Sequence, residues 1–471
     1  FFSVYADNIN VYISVIFFLL IFFSCVHKLF ITRYGSFFSI ISFRRYFMVF
    51  IIFFTIFFFI KLFLNFQVHS RFISDVHSYN AIFCNSMFSD TLISLSVITA
   101  FISLIYLSER YLFRNEFSVV YFFIFTLCTI QMTSSDNLLT MFIYFEFLFL
   151  PSVYFVYVLA YSKKADATIN FLVKWTLSGS VLVLFCLCYI YVVYGSLYIN
   201  YLSYFNFSVT ERFFLFWFLF VGFGVKLPIW PLYYWLTKVH VEAPTGFSIF
   251  LSGFLVKTAL FCLIYFLFFF KNIPYLTVSL AIAFFGAIDA SVRMWTSTDI
   301  KRLVAFATIQ EMNLILSFLY LLNFVSYNVL NCFLLVHGLL SAFLFFLVDQ
   351  VQKQLLSRNL MLLGGLSILV PLMSFFIWIS LLIFRGFPTF IKFIIEWEML
   401  ALLVSTFGVF GFFFFLLVSF FGIIGFCRVW LKVIYGSPVN SSSYGFLKKD
   451  AVLAFGLSAS LFGLNNYSFL F

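Results

Sequence analysis

The sequence predicts an all-α, polytopic membrane protein with about 14 transmembrane helices. Of its 471 residues, 64% are hydrophobic and 9% are charged, whereas a soluble domain is about half apolar and roughly a quarter charged. The apolar residues form continuous runs of about 20 residues, the length that an α-helix needs to cross a bilayer. These runs do not alternate as the shorter strands of a membrane β-barrel do.

Polar loops and clusters of Pro, Gly and Asn separate the predicted spans from one another. The first run lacks the basic leader and small-residue cleavage site of a signal peptide, so we interpret it as a span. No long polar domain interrupts the series. The spans run roughly over residues 11–32, 45–66, 91–108, 117–133, 137–160, 168–193, 212–236, 244–270, 275–296, 300–324, 327–350, 367–402, 405–433 and 449–468.

The loop charges predict the orientation of the chain. Basic residues concentrate in the loops after odd-numbered spans, as with Lys163, Lys164, Lys301 and Arg302, and are few in the loops after even-numbered spans. By the positive-inside rule, the odd loops face the cytoplasm or the mitochondrial matrix, and both termini face the other side. The net charge of +10 is therefore mostly an orientation signal, and nucleic acid is not an expected partner.

Five titratable residues lie too deep in their spans to reach the membrane surface easily. They are Glu146, Lys226, Lys257, His337 and Glu396. At about 1.5 Å per residue, Glu146 and His337 each lie about 15 Å into a helix. A charge at the bilayer centre costs at least about 2.5–3.5 kcal/mol, so each group needs a partner or a hydrated interior. A structural ion pair and a role in transport both remain open.

Two spans contain signals for a broken helix. GFGVKLPIWP (222–231) places Pro228 and Pro231 beside Lys226, and RGFPTFIKFIIEWE (385–398) places Pro388 before Glu396. Proline removes a helical hydrogen bond, and in a bilayer the freed carbonyl needs another partner. The sequence therefore predicts discontinuous helices at spans 7 and 12.

The two broken spans are five apart in order, which predicts two five-helix repeats, 117–270 and 275–433. Because five is odd, the second copy must insert upside down, and inverted repeats with matching broken helices are typical of transporters. Two unrelated kinks are the alternative. The rest of the chain comprises spans 1–3 (1–110) and a loop with the last helix (434–471).

The sequence contains no motif for a cofactor or metal. The eight cysteines lack the paired spacing of a zinc site or an iron–sulfur cluster. There is no Rossmann GxGxxG and no phosphate-binding P-loop. We therefore expect this chain to bind no cofactor or metal itself.

At residues 222–262 the chain resembles the antiporter-like, proton-translocating subunit family of respiratory complex I, and its subunit 4 branch in particular. This stretch combines the VKLP break (225–228), the loop WLTKVHVEAP (235–244) and the run LVKTALF (255–261). Supporting similarity extends over about 90–410, at residues 136–151, 297–312, 337–346, 358–366 and 386–400.

The resemblance implies roles for the deep residues. Glu146, Lys226, Lys257, His337 and Glu396 match the family's charged groups on helices 5, 7, 8, 11 and 12, which together form a hydrated axis at mid-membrane. His240 and Glu242 match a loop motif that we interpret as structural.

Three further charged residues depart from the family's pattern and are accessory candidates. Glu311 stands where the family usually has histidine, Lys392 where asparagine is expected, and Lys174 where an aromatic residue is expected. Lys392 also lies one turn before Glu396, on the same helical face.

The function that the resemblance implies is proton translocation in the membrane arm of NADH:ubiquinone oxidoreductase, in the mitochondrial inner membrane, with the termini in the intermembrane space. NADH, FMN, Fe–S clusters and ubiquinone would be bound by other subunits. Expected partners are neighbouring antiporter-like subunits and lipids such as cardiolipin. Two alternatives remain: a subunit of a monovalent cation/proton antiporter, and a membrane spacer whose charges only tie helices together.

Overall fold

The computed structural model describes residues 80–108, 117–159, 165–202, 205, 207–267, 276–321, 327–437 and 448–463. These residues all belong to one compact unit, Ser70–Phe471. The described part contains helices and no β-strand, in agreement with the all-α prediction. Seven helical segments in it are long and apolar enough to cross a membrane.

The α-helices of the described residues follow one another along the chain with short connections. In order they are α1 (Asn80–Ser108), α2 (Phe117–Thr133), α3 (Leu138–Phe147), α4 (Phe149–Leu159), α5 (Ala165–Tyr194), α6 (Ile199–Leu202), α7 (Val209–Lys226), α8 (Tyr234–Glu242), α9 (Thr245–Phe250), α10 (Val256–Leu267), α11 (Leu276–Thr296), α12 (Ile300–Leu321), α13 (Tyr327–Leu355), α14 (Leu366–Leu369), α15 (Pro371–Phe384), α16 (Ile391–Phe407), α17 (Val409–Tyr435) and α18 (Lys448–Gly463).

Helix occupies every predicted span from 91–108 onward. The two earlier spans, 11–32 and 45–66, lie outside the described residues. A π-helical turn at Leu251–Leu255 joins α9 to α10, and the sequence analysis did not predict it. A short 3₁₀ turn at Leu360–Leu362 precedes α14.

The break between α7 and α8 follows directly from its prolines. Pro228 has no N–H to continue the helix beyond Lys226, so carbonyls near the break need other donors. The indole Nε1 of Trp235 donates to the Val225 carbonyl at 2.5 Å. The side-chain amide of Asn313, on α12, donates to the Pro228 carbonyl at 3.0 Å. Side chains therefore bond carbonyls that the interrupted helix leaves without a main-chain donor.

Replacing Asn313 with leucine tests this account of the break. A buried carbonyl that loses its donor costs about 1–3 kcal/mol, so Asn313→Leu should lower the apparent unfolding temperature of the assembled protein in detergent. The matched control is Gln310→Leu. Gln310 donates to the Val418 carbonyl at 3.2 Å, which lies within the unbroken helix α17. An equal or larger loss in the control would contradict the account.

The break between α15 and α16 has the same cause. In a continuous helix the Phe384 carbonyl would accept a hydrogen bond from residue 388, but Pro388 has no N–H. The ammonium of Lys392 donates to this carbonyl instead, at 2.6 Å. Gly386, at φ 65°, supplies the left-handed conformation that the turn requires.

The π turn leaves a further carbonyl inside the bundle without its helical hydrogen-bond donor. The Val256 N–H donates to the Leu251 carbonyl rather than to the Ser252 carbonyl that an α-helix would use. The ammonium of Lys257 donates to the Ser252 carbonyl. The turn packs closely on α13, because a Cβ on Gly338 would lie 3.0 Å from the Gly253 carbonyl.

An isolated antiparallel bridge occurs twice, at Asn137–Tyr198 and at Asp299–Asn359. Each joins the start of a long helix to the loop before a broken helix, through two backbone bonds. In the first, Leu138 N donates to Leu197 O (3.0 Å) and Ile199 N to Asp136 O (3.1 Å). In the second, Ile300 N donates to Arg358 O (3.2 Å) and Leu360 N to Thr298 O (2.8 Å).

The centre of the described bundle is formed by the helices that carry the deepest titratable groups. The membrane-length segment that runs from α9 to α10 is 94% buried, that of α12 is 94% buried and that of α13 is 100% buried. In contrast, the segments of α5 and α17 are only 39% and 33% buried. Lys257, Glu311 and His337 lie on these three inner segments. The fold therefore places them away from lipid.

Candidate functional site

The first cluster is an ion pair between α3 and α7. Lys226 Nζ donates to Glu146 Oε1 at 2.8 Å, and both side chains are mostly buried. The ammonium also lies 3.9 Å from the ring centroid of Phe145, a cation–π distance. Lys226 is the last residue of α7, where the negative end of the helix dipole favours a cation.

A cavity of about 50 Å³ lies beside Lys226. Most of its lining is apolar, but Ser152, Thr176 and Thr258 contribute hydroxyl groups, and Trp235 closes one side. A water molecule takes up about 30 Å³ in the liquid and needs 2–4 polar partners. By volume the cavity can therefore hold water beside Lys226, with the Lys226 ammonium and these hydroxyl oxygens as its polar partners.

Lys257 and His337 lie in the interior, between the two broken helices. Lys257 is 0% exposed and His337 2%. Neither ring nitrogen of His337 has a hydrogen-bond partner, although buried polar atoms are nearly always bonded. Lys257 and Lys392 are both near enough for their charges to act on this imidazole.

The second cluster lies at the break in span 12. Lys392 Nζ donates to Glu311 Oε1 at 2.5 Å and lies 3.5 Å from Glu396 Oε1. The side chains of Lys392 and Glu311 are 3% and 4% exposed, and that of Glu396 is 25% exposed. The Oε2 atom of Glu311 has no hydrogen-bond partner. The Lys392 ammonium thus lies beside two carboxylates.

Most of the chain matches a known family of membrane proteins. Residues 135–422 match the family described as NADH:quinone oxidoreductase/Mrp antiporter, transmembrane. The chain belongs to this family. It is 34% identical over 399 residues to NADH-ubiquinone oxidoreductase chain 4 of Paramecium tetraurelia, with 82% of each chain covered. It is 30% identical over 291 residues to the protein of the same name from Chondrus crispus, covering 61% of this chain and 58% of that one.

Two solved structures share the fold of this NADH:quinone oxidoreductase/Mrp antiporter chain. One is the membrane-bound sulfane sulfur reductase, an archaeal respiratory membrane complex, with a TM-score of 0.73, 17% identity, and 81% of this chain and 79% of that chain covered. The other is the Mrp complex from Dietzia sp. DQ12-45-1b, with a TM-score of 0.72, 15% identity and 82% of each chain covered. At these identities the likeness concerns the fold alone.

The loop motif of this family member lies apart from both clusters. His240 is buried and stacks on Phe345, with ring centroids 4.7 Å apart. Glu242 is half-buried. Lys301 Nζ donates to the Ala243 carbonyl at 2.5 Å, which ties the loop to the start of α12. These contacts fit the structural interpretation of the motif.

The accessory candidates divide between the bundle and its surface. Lys174 lies on the exposed face of α5 and does not line the cavity beside Lys226. Glu311 and Lys392, in contrast, form the tightest buried ion pair of the described residues. From the sequence, Lys392 is predicted to pair with Glu396 alone. Asn313 was not predicted, and its signal is a side-chain amide in the apolar run of α12, which Gln310 shares.

The described residues offer no candidate metal site, because no group of three or more His, Cys, Asp or Glu side chains could hold an ion. The cysteines in the same part of the chain are free thiols. The titratable groups of the two clusters and of the interior between them are lysine, glutamate and histidine side chains.

Proposed function

We propose that this chain is a proton-translocating subunit in the membrane arm of NADH:ubiquinone oxidoreductase, in the mitochondrial inner membrane. The observation that carries the proposal is a pair of buried Lys–Glu clusters with Lys257 and His337 between them. Ionisable groups are costly inside a membrane and mark ion or proton pathways.

The axis would work by breaking and remaking ion pairs. A carboxylate beside a buried ammonium stabilises its charged form, so Glu146 holds a proton on Lys226. When the pair opens, Lys226 gives its proton to the next groups, Lys257, His337 and the cluster around Glu396. Moving one charge against 100 mV costs about 2.3 kcal/mol, and losing one partner of a buried pair costs about 3–5 kcal/mol. Electrostatics therefore suffices to drive the step.

The fuller architecture that we propose has fourteen spans and two inverted repeats, 117–270 and 275–433. The recurring bridges at Asn137 and Asp299 support it, because each lies at the start of the second helix of a proposed repeat. Each Lys–Glu pair also joins the second helix of a repeat to its broken fourth helix. The segments 1–110 and 434–471 flank the repeats, with the odd loops in the matrix.

The energy for transport would come from neighbouring subunits. NADH, FMN, Fe–S clusters and ubiquinone would be bound there, and this chain would act without a redox centre. Quinone reduction would perturb the charged axis through the adjoining antiporter-like subunits. Lipids such as cardiolipin would fill the grooves between them.

The experiment that tests this function replaces Glu146 with glutamine in the assembled complex. Glutamine keeps the shape of the side chain but carries no charge, so Lys226 would no longer be held protonated. We expect fewer protons pumped per electron in sealed vesicles, with the complex assembled in normal amount. The control is Glu211→Gln. Glu211 caps α7 by accepting from Ser208 N at 2.8 Å and accepts from the hydroxyls of Tyr189 and Tyr194 on α5, at the end of α7 opposite Lys226. Unchanged pumping with Glu146→Gln would overturn the proposal.

The second candidate is a subunit of a monovalent cation/proton antiporter. The shared fold with the Mrp complex, at a TM-score of 0.72, is the observation that favours it. Proton transport by the purified chain in liposomes that depends on a sodium gradient would support this function. Transport that depends on NADH and quinone would support the first.

A further inference from the structure

Lys392 is bound unequally by two acids. It donates to Glu311 Oε1 at 2.5 Å and stands 3.5 Å from Glu396 Oε1. Its remaining hydrogen bond goes to the Phe384 carbonyl at 2.6 Å. The ammonium is therefore anchored at the helix break and lies within reach of both carboxylates.

Within contact distance in this cluster, one cation lies beside two acids. Two carboxylates that share a buried site cannot both ionise without a large cost, and a proton on one of them removes that cost. Lys257 is a further cation, and its charge interacts with that of Glu311.

The two acids differ in their access to the surroundings. Glu311 is 4% exposed and lies on the inner helix α12, whereas Glu396 is 25% exposed and lies on α16. Glu311 Oε2 has no hydrogen-bond partner, so it can accept a proton without losing a bond. The carboxylate of Glu396 lies directly against Gly386, where a methyl group would collide with it.

We propose that Glu311 and Glu396 alternate as the ion-pair partner of Lys392 and pass one proton between them. Glu311 is then a second gating carboxylate, on the outlet side of the axis. This inference rests on the proposed function and deepens it. The charge of Glu311 interacts with that of Lys257, whereas Glu396 is the more exposed of the two acids.

The proton balance of the exchange is simple. At the start, Glu311 is ionised and bound to Lys392, and Glu396 holds a proton. A proton from the Lys257 side neutralises Glu311, which frees Lys392 to turn to Glu396. Glu396 then loses its proton to the outlet and becomes the ionised partner. Transfer of the proton from Glu311 to Glu396 restores the start, so one proton enters and one leaves.

The test replaces both partners of the pair, Glu311→Gln with Lys392→Met, in the assembled complex. Removing both leaves no buried charge at Glu311 or Lys392 without its partner, a loss that would cost about 3–5 kcal/mol. Glu396 also loses its cation, but it holds a proton in the starting state and needs none, so the subunit should still assemble. We expect the number of protons pumped per electron to fall as far as with Glu146→Gln. A structural pair predicts normal pumping, and that result would overturn the inference.

Two single variants separate gating from packing. Glu311→Gln imitates the protonated acid and should hold Lys392 on Glu396, which stops output. Glu311→Asp keeps a carboxylate and should restore part of the output. Equal pumping by the two variants would contradict the exchange.

Infrared difference spectra of the working complex give a direct signature. A protonated-carboxyl band that changes on turnover should be lost in both Glu311→Gln and Glu396→Gln. It should persist in the control Asp349→Asn, which removes a buried acid paired with Lys353 at 3.2 Å. A turnover-dependent band that persists in Glu311→Gln would overturn the inference.

The outcomes distinguish this inference from the proposed function. If Glu146→Gln pumps normally, the function itself fails. If Glu146→Gln loses output while the double variant at Glu311 and Lys392 pumps normally, the function stands and the exchange is wrong.

Discussion

Replacing Lys226 with alanine is expected to stop proton transfer through this chain. Alanine offers no site for a proton, and it leaves Glu146 in a largely buried place without its cation. The unpaired carboxylate costs about 3–5 kcal/mol of stability, so the rate is compared per assembled complex. We expect that rate to fall about 100-fold or more, equivalent to about 2.7 kcal/mol in the barrier. The measurement is NADH-driven proton uptake by sealed vesicles, compared with electron transfer in the same preparation.

The matched control for Lys226 is another lysine that pairs with a buried acid. Lys353 lies 3.2 Å from Asp349, and the side chain of Asp349 is 3% exposed. Asp349 keeps a hydrogen bond from the Thr245 hydroxyl at 2.9 Å, so Lys353→Ala should assemble and pump. Normal pumping by Lys226→Ala, in a complex assembled to the same level, would remove Lys226 from the pathway.

The helix breaks were predictable from sequence because their cause is local. Proline has no N–H, so Pro228 and Pro388 end the helical hydrogen-bond ladder wherever the rest of the chain lies. The structure ends α7 at Lys226, within the predicted stretch 222–231, and α15 at Phe384, one residue before the predicted stretch 385–398. That Glu146 and Lys226 need partners followed from a physical requirement, since deep charges are costly when alone. That they pair with each other comes from the structure.

The pair of Glu311 with Lys392 was not predictable, because Lys392 has another acid closer to it in the sequence. Glu396 stands four residues from Lys392, and the helical period alone places them on one face. The stronger partner, Glu311, is 81 residues away in sequence. Only the packing of α12 against the second break brings these two side chains together.

The π turn was missed for a related reason. Leu251–Leu255 contains no proline, and its wider winding has no periodic signal in the sequence. The turn packs where Gly253 meets Gly338 of α13, a contact between distant segments. Its effect is nevertheless chemical, since it frees the Ser252 carbonyl for Lys257.

The positions of the helix interruptions and of the buried lysines are therefore related. Lys257 and Lys392 each donate to a carbonyl that an interruption has freed, and Lys226 ends a helix at such a point. Helix α12 touches both breaks, through Asn313 at Pro228 and through Glu311 at Lys392. A small shift of α12 would alter both clusters together, which offers a physical link between the two halves of the axis.

Replacing Lys257 with methionine is expected to slow proton transfer while the complex still assembles. Lys257 is 0% exposed, and an apolar side chain of similar volume in place of a buried ion is often neutral or stabilising. Methionine carries no proton, so only His337 would remain between the clusters at Lys226 and Lys392. We expect normal assembly with a fall of about tenfold or more in proton transfer, equivalent to about 1.4 kcal/mol or more.

The control for Lys257 is a second buried lysine that donates to a main-chain carbonyl. Lys301 is 2% exposed and donates to the Ala243 carbonyl, but it lies at the start of α12, away from the axis. Lys301→Met should weaken assembly, because the loop loses its tie, while each assembled complex pumps normally. Since the two variants remove the same group from similar surroundings, equal pumping by both would mean that Lys257 only fills space, whereas loss with Lys257→Met alone would place it in the proton path.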